Sequence, residues 1–134
     1  LPPQAFIKRI AATDPWNDVP DALGGGPNLL TNAIADITRE AEGFDPSYEE
    51  RRPHTAAGVT QDNQLILVTV DGRLASAGGM KFPELAEYMK SLGCVNALRF
   101  DGGGSTTMWV ADKGVVNKPC DGAERGVTSY LFIW

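Results

Sequence analysis

The sequence predicts an α+β fold in which a mixed, mostly β sheet is covered by few helices. Three observations support this class. The run from Gln64 to Val70 is rich in Leu, Ile and Val and ends at an Asp-Gly turn, which is typical of a buried strand. Leu85, Met89 and Leu92 recur at helical spacing within residues 83–92. Strand-like runs rich in β-branched and aromatic residues follow this helix.

The helix has signals at both ends and lies between two predicted strands. Pro83 suits the first helical turn, and Gly93 suits the C-terminal stop. The strand–helix–strand order over residues 64–101 therefore predicts a right-handed crossover that joins parallel strands.

The remaining elements follow from alternation and from turn residues. Residues 6–10 predict a strand, and a second, short strand is expected near Leu29–Leu30 after a glycine turn. Residues 35–53 are charged and aperiodic and predict a surface loop with at most one helical turn. The last strands are expected at three places, namely 95–101, 106–116 with a turn at Lys113-Gly114, and 126–134.

The composition fits a single domain over residues 1–134. The chain has 134 residues, of which 43% are hydrophobic and 22% charged. The formal net charge is −5 and no Lys/Arg run exceeds Arg51-Arg52, which excludes a nucleic-acid binder. No apolar stretch approaches the ~20 residues of a membrane-spanning helix, and no signal-peptide pattern opens the chain. Because the first residue is Leu1 rather than Met, we expect an upstream segment to have been removed.

The two cysteines leave two alternatives open. Cys94 and Cys120 are either unrelated thiols or a disulfide of an exported protein. A bridge would require Cys94 to lie beside the loop that holds Cys120.

The motif Asp-Gly-Gly-Gly-Ser-Thr-Thr stands at a predicted strand end. Consecutive glycines expose backbone N–H groups that converge on an anion without obstruction by side chains. A tight turn also explains a glycine run, but a third glycine costs roughly 0.5–1 kcal/mol relative to Ala, and something should compensate for it. The motif lacks the Lys of a P-loop and the spaced glycines of a dinucleotide fingerprint. We expect a phosphate or sugar site built from Asp101, Gly102, Gly103, Gly104, Ser105, Thr106 and Thr107.

Two further polar clusters could contribute to such a site. The first lies between two strand-like runs and contains Asn117, Asp121, Glu124 and Arg125. A hairpin loop alone explains Asp121-Gly122, and Arg125 is either in a surface ion pair or a bidentate phosphate ligand. The second cluster precedes an apolar strand and contains Arg52, the single histidine His54, and Thr55. A lone histidine is more often structural, but beside arginines it could donate a proton or bind an anion.

Five motifs taken together resemble the phosphodiester glycosidase family. They are GGGPNLL, RRPHTAAG, VDGR, FDGGGSTTM and VVNKPCDGAERGV, in this order. The resemblance covers nearly the whole chain from about Asp14, and its most specific block is Asp101–Met108. Family members generally begin with a further segment that carries an Asn-Gly-x-Phe type motif, so we expect this chain to be the C-terminal part of the domain.

The resemblance implies an activity, a location and site residues. The activity is hydrolysis of a glycosyl-1-phosphodiester with release of the sugar, and the location is extracellular or in the cell envelope. For bacterial relatives the substrates would be envelope glycans or exopolysaccharide. Matching positions assign site roles to Asp101 with the loop Gly102–Ser105, and to Thr55, Asp71, Asn117, Asp121, Glu124 and Arg125. The chain departs from the family by having His54 where Arg is usual and Arg99 where Asn is usual, and Arg99 could return the lost charge.

The expected mechanism is glycosidic C–O cleavage assisted by two carboxyl groups. Asp101 is predicted to be the nucleophile or base, and Asp121 or Glu124 the acid. Arg125, Arg52, His54 and the glycine-loop amides are predicted to hold the phosphate. No spacing specific for metal ligands occurs, so no cofactor is predicted, although a divalent cation between carboxylates and phosphate is compatible with the site.

Two other readings use the same residues. The loop could bind an envelope glycan or phosphate without turnover, or the chain could be a structural subunit that assembles through open sheet edges. A companion chain that carries the missing N-terminal segment, or self-association through such an edge, is therefore expected.

Overall fold

The structure is a computed structural model, and it describes residues 5–7 and 19–134. The first half contains β1 (Asn28–Thr31), β2 (Ile34–Ala35), a 3-10 helix (Pro46–Glu49), β3 (His54–Thr60) and β4 (Leu65–Val70). The second half contains α1 (Phe82–Ser91), β5 (Cys94–Arg99), a 3-10 helix (Gly103–Ser105), β6 (Trp109–Val110) and β7 (Gly114–Val115). A five-stranded sheet with one covering α-helix, and a separate two-stranded sheet of β6 and β7, confirm the predicted α+β class. No helix of the described residues is long and apolar enough to cross a membrane.

Five strands form the main sheet in the order β2-β1-β5-β3-β4. Each pair of neighbours in it is antiparallel. Because β4 and β5 are both antiparallel to β3, they run in the same direction, as the strand–helix–strand pattern predicted. They are not hydrogen-bonded to each other, since β3 lies between them and the helical crossover spans one intervening strand.

The helix α1 packs its apolar side on the sheet. Phe82, Leu85, Ala86 and Met89 are buried, and they join residues of β1, β3 and β5 in one hydrophobic cluster. Glu84 accepts from the Lys81 backbone N–H at the start of the helix, and Gly93 follows its end with φ +88°. The helix predicted over residues 83–92 is therefore confirmed.

Two predicted strands require correction. β4 was predicted to be buried, but it is an edge strand of the sheet. Ile66 and Val68 pack against the core, whereas Leu67, which points to the opposite face, is 37% exposed. Residues 126–134 form no strand, and Tyr130, Phe132 and Trp134 are largely exposed. In the described structure this segment is not paired with any strand, so it lacks the backbone ladder that defines one.

The other predictions have mixed outcomes. The β6–β7 hairpin and the strand at β1 are confirmed, and the loop over residues 35–53 contains its single 3-10 turn. The strand predicted over residues 6–10 lies mostly outside the described residues, and residues 5–7 form no regular element. Cys94 is a buried free thiol whose pKa is raised by burial, and Cys120 is a half-buried free thiol.

The topology brings segments that are distant in sequence to one end of the strands of the sheet. His54 of β3 pairs with Val70 of β4, and Ala56 of β3 pairs with Arg99 of β5. The start of β3 therefore lies beside the ends of β4 and β5. Residues that follow β4 and β5 and residues that precede β3 consequently emerge together.

Candidate active site

A cleft of about 200 Å³ opens at this end of the strands, where β3 begins and β4 and β5 end. It gathers residues from the loop before β3, from the segments after β4 and β5, and from the loop near the C-terminus. Its lining consists of Tyr48, Arg52, Arg73, Arg99, Asp101, Gly102, Gly103, Gly104 and Arg125. A larger depression of about 500 Å³, lined by residues 36–41 and Glu49, contains none of the predicted site residues. We therefore take the smaller cleft as the candidate site.

The cleft concentrates positive charge in a protein of formal net charge −5. Arg125 pairs with Asp121, but in the described part of the chain Arg52, Arg73 and Arg99 have no carboxylate in ion-pair contact. Arg52 is 9% exposed and Arg99 only 4%. Buried cations without a paired anion are costly, and an anionic ligand would compensate for them.

The buried guanidinium groups are held by packing and by backbone oxygens. Arg52 Nη2 donates to Ser47 O at 2.6 Å, and Arg52 Cζ lies 4.3 Å from the centre of the Tyr48 ring. Arg99 Cζ lies 5.7 Å from the same ring. Such cation–π contacts fix an arginine without neutralising it. Arg52 Nε is buried and has no hydrogen-bond partner among the described residues.

Asp101 is the one carboxylate that lines the cleft within residues 5–7 and 19–134. It is exposed, and its Oδ1 accepts from the Gly102 backbone N–H at 2.9 Å. Burial lowers the pKa of Arg99, and the Asp101 charge opposes that shift. Asp101 thus lies close to the positive charges of the arginines but forms no salt bridge among the described residues.

The amides of the glycine loop are mostly satisfied within the protein, which corrects the predicted amide array. Gly103 N–H donates to Pro53 O at 3.1 Å, and Ser105 and Thr106 N–H donate to Gly102 O and Gly103 O at 3.2 Å each. Together with the bond from Gly102 to Asp101, this leaves Gly104 N–H as the single loop amide without an acceptor in the described structure. The 3-10 turn uses the remaining donors for its own closure.

The glycines instead make room for the arginines. A Cβ on Gly102 would lie 2.5 Å from Arg99 Nη2, and a Cβ on Gly104 would lie 2.5 Å from Arg125 Cζ and would also collide with the Asp121 carboxylate. Gly103, between them, has φ +61°. Side chains at 102 or 104 would push guanidinium groups out of the cleft, which accounts for the consecutive glycines.

The second predicted cluster is only partly brought to the cleft. Arg125 Nε and Nη2 both donate to Asp121 Oδ2, at 2.9 and 2.5 Å, and this ion pair packs against Gly104. The side chain of Glu124 is exposed and is not part of the cleft lining. Asp121 is thus paired with Arg125 beside the cleft, and the acid role of Asp121 or Glu124 stays a prediction.

Asp71 and Asn117 meet behind the glycine loop rather than in the cleft. Asn117 Oδ1 accepts from Met108 N–H at 2.7 Å, and its Nδ2 donates to Thr106 O at 3.0 Å. Asp71 Oδ1 accepts from the Lys118 N–H at 2.9 Å. These bonds tie the end of β4 to the loop that carries Arg125. Thr106 is itself buried and Ser105 half-buried, and neither lines the cleft.

His54 does not line the cleft, which corrects its predicted role as anion ligand or proton donor. Its side chain has 0% exposure, its Nε2 lies 2.8 Å from Met80 O, and its Nδ1 accepts from Arg99 Nε at 3.2 Å. Burial lowers the pKa of His54 to about 4, against the effect of the Met80 bond, and the charges of Arg99 and Arg52 lower it further. Thr55 is a half-buried residue of β3 and also lies outside the lining.

Sequence reasoning missed Arg73 and Tyr48 as cleft residues. Arg73 follows the Asp71-Gly72 turn at the end of β4 and has φ +55°, which turns the chain towards Gly103. The Asp-Gly-Arg sequence directly after a predicted strand was a usable signal, because β4 and β5 end at the same edge. Tyr48 lay in the loop over residues 35–53, where no pattern marked it.

Fold and cleft together define an α+β protein with an arginine-rich cleft that also holds one carboxylate. The chain belongs to the phosphodiester glycosidase family, whose family model matches residues 4–134.

Curated relatives match parts of the chain. An uncharacterized prophage-derived protein of Bacillus subtilis (strain 168), YomE, is 37% identical over 83 residues, which is 62% of this chain and 13% of that protein. The N-acetylglucosamine-1-phosphodiester alpha-N-acetylglucosaminidase of Mus musculus is 34% identical over 112 residues, which is 76% of this chain and 22% of that protein. The chain thus spans less than a quarter of the length of these two relatives.

Solved structures share the fold. A hypothetical protein from Synechocystis has a TM-score of 0.65 and 26% identity over 75% of this chain and 19% of its own. The zebrafish N-acetylglucosamine-1-phosphodiester alpha-N-acetylglucosaminidase catalytic domain, auto-inhibited by its pro-peptide, has a TM-score of 0.61 and 26% identity over 72% of this chain and 34% of its own.

Proposed function

We propose that this chain carries the phosphate-binding side of a glycosidase that hydrolyses glycosyl-1-phosphodiesters and releases the sugar. The observation that supports this most is the set of three guanidinium groups, Arg52, Arg73 and Arg99, that face one cleft without carboxylate partners among the described residues. Guanidinium forks match phosphate oxygens in geometry and charge. Family membership supplies the reaction class.

The charge of the cleft favours the products of this reaction over the substrate. Hydrolysis breaks the bond between the anomeric carbon and the phosphate oxygen. The electron pair stays on that oxygen, water supplies the hydroxyl to the carbon, and the second hydrogen of the water leaves as a proton. The phosphate changes from a diester with one negative charge to a monoester with about −1.5 to −2 at pH 7. Four arginines and the carboxylates of Asp101 and Asp121 leave an excess of two positive charges, which stabilises the leaving group most when its charge is largest.

Asp101 serves as the nucleophile or the base in this proposal. It is exposed at the cleft and is free of salt bridges among the described residues, so its carboxylate can approach the anomeric carbon or a water on it. No second carboxyl group is required at the leaving oxygen, because neutralisation by arginine substitutes for protonation. The two-carboxylate arrangement of most glycosidases is thereby reduced to one carboxylate and a cationic clamp.

A binding module without turnover is the second candidate. The observation in its favour is that Asp121 is engaged by Arg125 and Glu124 lies outside the cleft, so the described structure offers a single carboxylate. Such a module would bind the phosphate of a glycan and leave the glycosidic bond intact.

Sugar release separates the two candidates. The substrate is an N-acetylglucosamine-1-phosphodiester, the compound class in the name of the mouse relative, and the readout is free N-acetylglucosamine. We expect release by the wild type and none above background by Asp101→Asn. The matched control is Asp112→Asn, because Asp112 is an exposed carboxylate in the β6–β7 turn and outside the cleft. Phosphodiester binding without release by wild-type protein would favour the module.

The proposal places the protein outside the cytoplasm, acting on extracellular or cell-envelope glycans. Support comes from a Burkholderia pseudomallei protein that is described as a candidate exported protein and is 43% identical over 57% of this chain, with a TM-score of 0.54. Detection of the native protein in culture supernatant or envelope fractions, rather than in the cytosolic fraction, tests this location.

A protein partner is also part of the proposal. β4 is hydrogen-bonded to β3 on one side, and its other edge has no neighbouring strand among the described residues. An open edge is a template for pairing with another segment. Light scattering of the purified chain tests self-association, and a monomer would leave a companion segment as the partner to be sought by co-purification.

A further inference from the structure

His54 lies directly behind the cleft and contacts one of its arginines. It is the first residue of β3, has 0% exposure, and packs its ring 5.5 Å from that of Phe82. Both ring nitrogens have partners, Met80 O at 2.8 Å and Arg99 Nε at 3.2 Å. The proposed function makes no use of this residue.

The two partners fix the protonation state of the ring. A carbonyl oxygen only accepts, so Nε2 must carry the hydrogen that faces Met80 O. A guanidinium N–H only donates, so Nδ1 must be free of a proton to accept from Arg99 Nε. The charged groups around the ring are Arg99 on β5 and Arg52 just before β3, and both oppose a positive imidazolium. His54 is therefore neutral, with a single allowed tautomer.

The same bond determines which part of Arg99 reaches the cleft. Nε points to His54, and Nη1 points to Gly26 O at 3.4 Å. Nη2 is the remaining group, and it lies 2.5 Å from the place where a Cβ on Gly102 would stand. The guanidinium is thus fixed by hydrogen bonds of Nε and Nη1, and its Nη2 faces the glycine loop.

We propose that His54 is a positioning residue that holds Arg99 in its anion-binding orientation through Nδ1. This rests on the proposed function in so far as Arg99 binds the phosphate. An arginine kept in one rotamer loses less side-chain entropy when a ligand arrives, and the affinity for anions rises accordingly. A histidine that only filled the core would make no such difference.

Two variants separate the two nitrogens. In His54→Asn the amide oxygen can stand near the position of Nδ1 and accept from Arg99, while the bond to Met80 O is lost. In His54→Gln the amide nitrogen can reach the position of Nε2 and donate to Met80 O, while the acceptor for Arg99 is lost. The measured quantities are the dissociation constant for inorganic phosphate, by calorimetry, and the melting temperature.

The expected result is a split between the variants. His54→Gln should bind phosphate at least about tenfold more weakly, because the hydrogen bond lost involves a charged group. His54→Asn should remain within about threefold of wild type, although its melting temperature falls. In an Arg99→Met background the same two substitutions should leave the dissociation constant unchanged, since coupled residues are not additive.

Each other outcome overturns a defined statement. No phosphate binding by the wild type would overturn the proposed function. If the wild type binds phosphate and both variants lose affinity equally, or neither loses affinity, the positioning role of His54 is overturned. If neither variant folds, nitrogen NMR of the wild type at pH 7 decides, because a proton on Nδ1 or an Arg99 Nε–H signal without hydrogen-bond protection contradicts the proposal.

Discussion

Gly104 offers a test of the way in which the glycine loop builds the cleft. A methyl group at this position would collide with the Asp121–Arg125 ion pair, whose side chains are 42% and 50% exposed. The pair can move into solvent without disturbing the core. Gly104→Ala should therefore remove Arg125 from the cleft and leave the fold intact.

The expected effects on stability nearly cancel. Gly104 does not have a positive φ, so Ala can adopt its conformation and gains about 0.4–1 kcal/mol from a less flexible unfolded chain. Loss of the exposed ion pair costs about 0.2–1 kcal/mol. The free energy of unfolding, measured with urea, should stay within about 1 kcal/mol of the wild type.

The expected effect on anion binding is much larger. Loss of one charge-assisted hydrogen bond to phosphate costs about 1.5–3 kcal/mol, which is roughly a 10- to 100-fold increase in the dissociation constant. Calorimetry with a sugar 1-phosphate measures it. Gly78→Ala is the matched control, since a Cβ there meets nothing within 4 Å. An affinity within twofold of the wild type, or a loss of several kcal/mol in stability, would refute this account of the loop.

Four further predictions concern charge, pH and the support of the loop. The wild type should bind a phosphate monoester at least tenfold more tightly than the matching diester, and equal calorimetric affinities would contradict the charge excess of the cleft. Asp101→Asn should abolish sugar release and strengthen phosphate binding, because one negative charge leaves the cleft; weaker binding would show that Asp101 instead orders the loop. Asn117→Ala removes the partners of Met108 N–H and Thr106 O and should lower the urea unfolding free energy by about 1–3 kcal/mol, whereas a change below about 0.5 would show that water replaces the amide. His54 is the single histidine, and its pKa of about 4 lies below the value of 6.5 of an unperturbed histidine, so the unfolded chain takes up the proton first as the pH falls. The stability that neutral His54 contributes should be complete above about pH 6.5 and fall by roughly 1.4 kcal/mol per pH unit down to about pH 4. The measurement is the difference in unfolding free energy between wild type and His54→Asn as a function of pH, and a constant difference would contradict the lowered pKa.

The elements with local signals could be predicted from the sequence. α1 has apolar periodicity, Pro83 at its start and Gly93 after its end, and all three are confirmed. The strands β4 and β5 also have clear hydrophobic runs. Their order in the sheet could not be predicted, because the insertion of β3 between them depends on pairing between residues distant in sequence. This insertion makes β4 an edge strand.

The last segment shows the limit of β propensity. Residues 126–134 have the aromatic and β-branched composition of a strand, yet they form none in the described structure. Strand formation requires a neighbour that supplies backbone hydrogen bonds, and composition does not say whether one exists.

The sequence motif coincides with the candidate cleft, but the construction of that cleft could not be predicted. The motif from Asp101 to Gly104 predicts an anion site at a strand end; its four residues line the arginine-rich cleft, and anion binding there stays a prediction. The position of Arg73 in the cleft could not be predicted, because it depends on β4 and β5 ending at the same end of the sheet. The sequence predicts that His54 binds the anion, although its burial and its bond to Arg99 place it behind the cleft. Burial and hydrogen-bond direction arise only from the tertiary fold.

Phosphate binding in this cleft can be observed by an NMR titration of wild-type protein with a sugar 1-phosphate, followed through the arginine side-chain N–H signals. We expect saturable shifts at the four arginines that line the cleft, namely Arg52, Arg73, Arg99 and Arg125. Arg39 and Arg51 are internal controls, because they are paired with glutamates away from it. Shifts of equal size at the controls, or no shift at the four cleft arginines, would contradict the assignment of this cleft as a phosphate site.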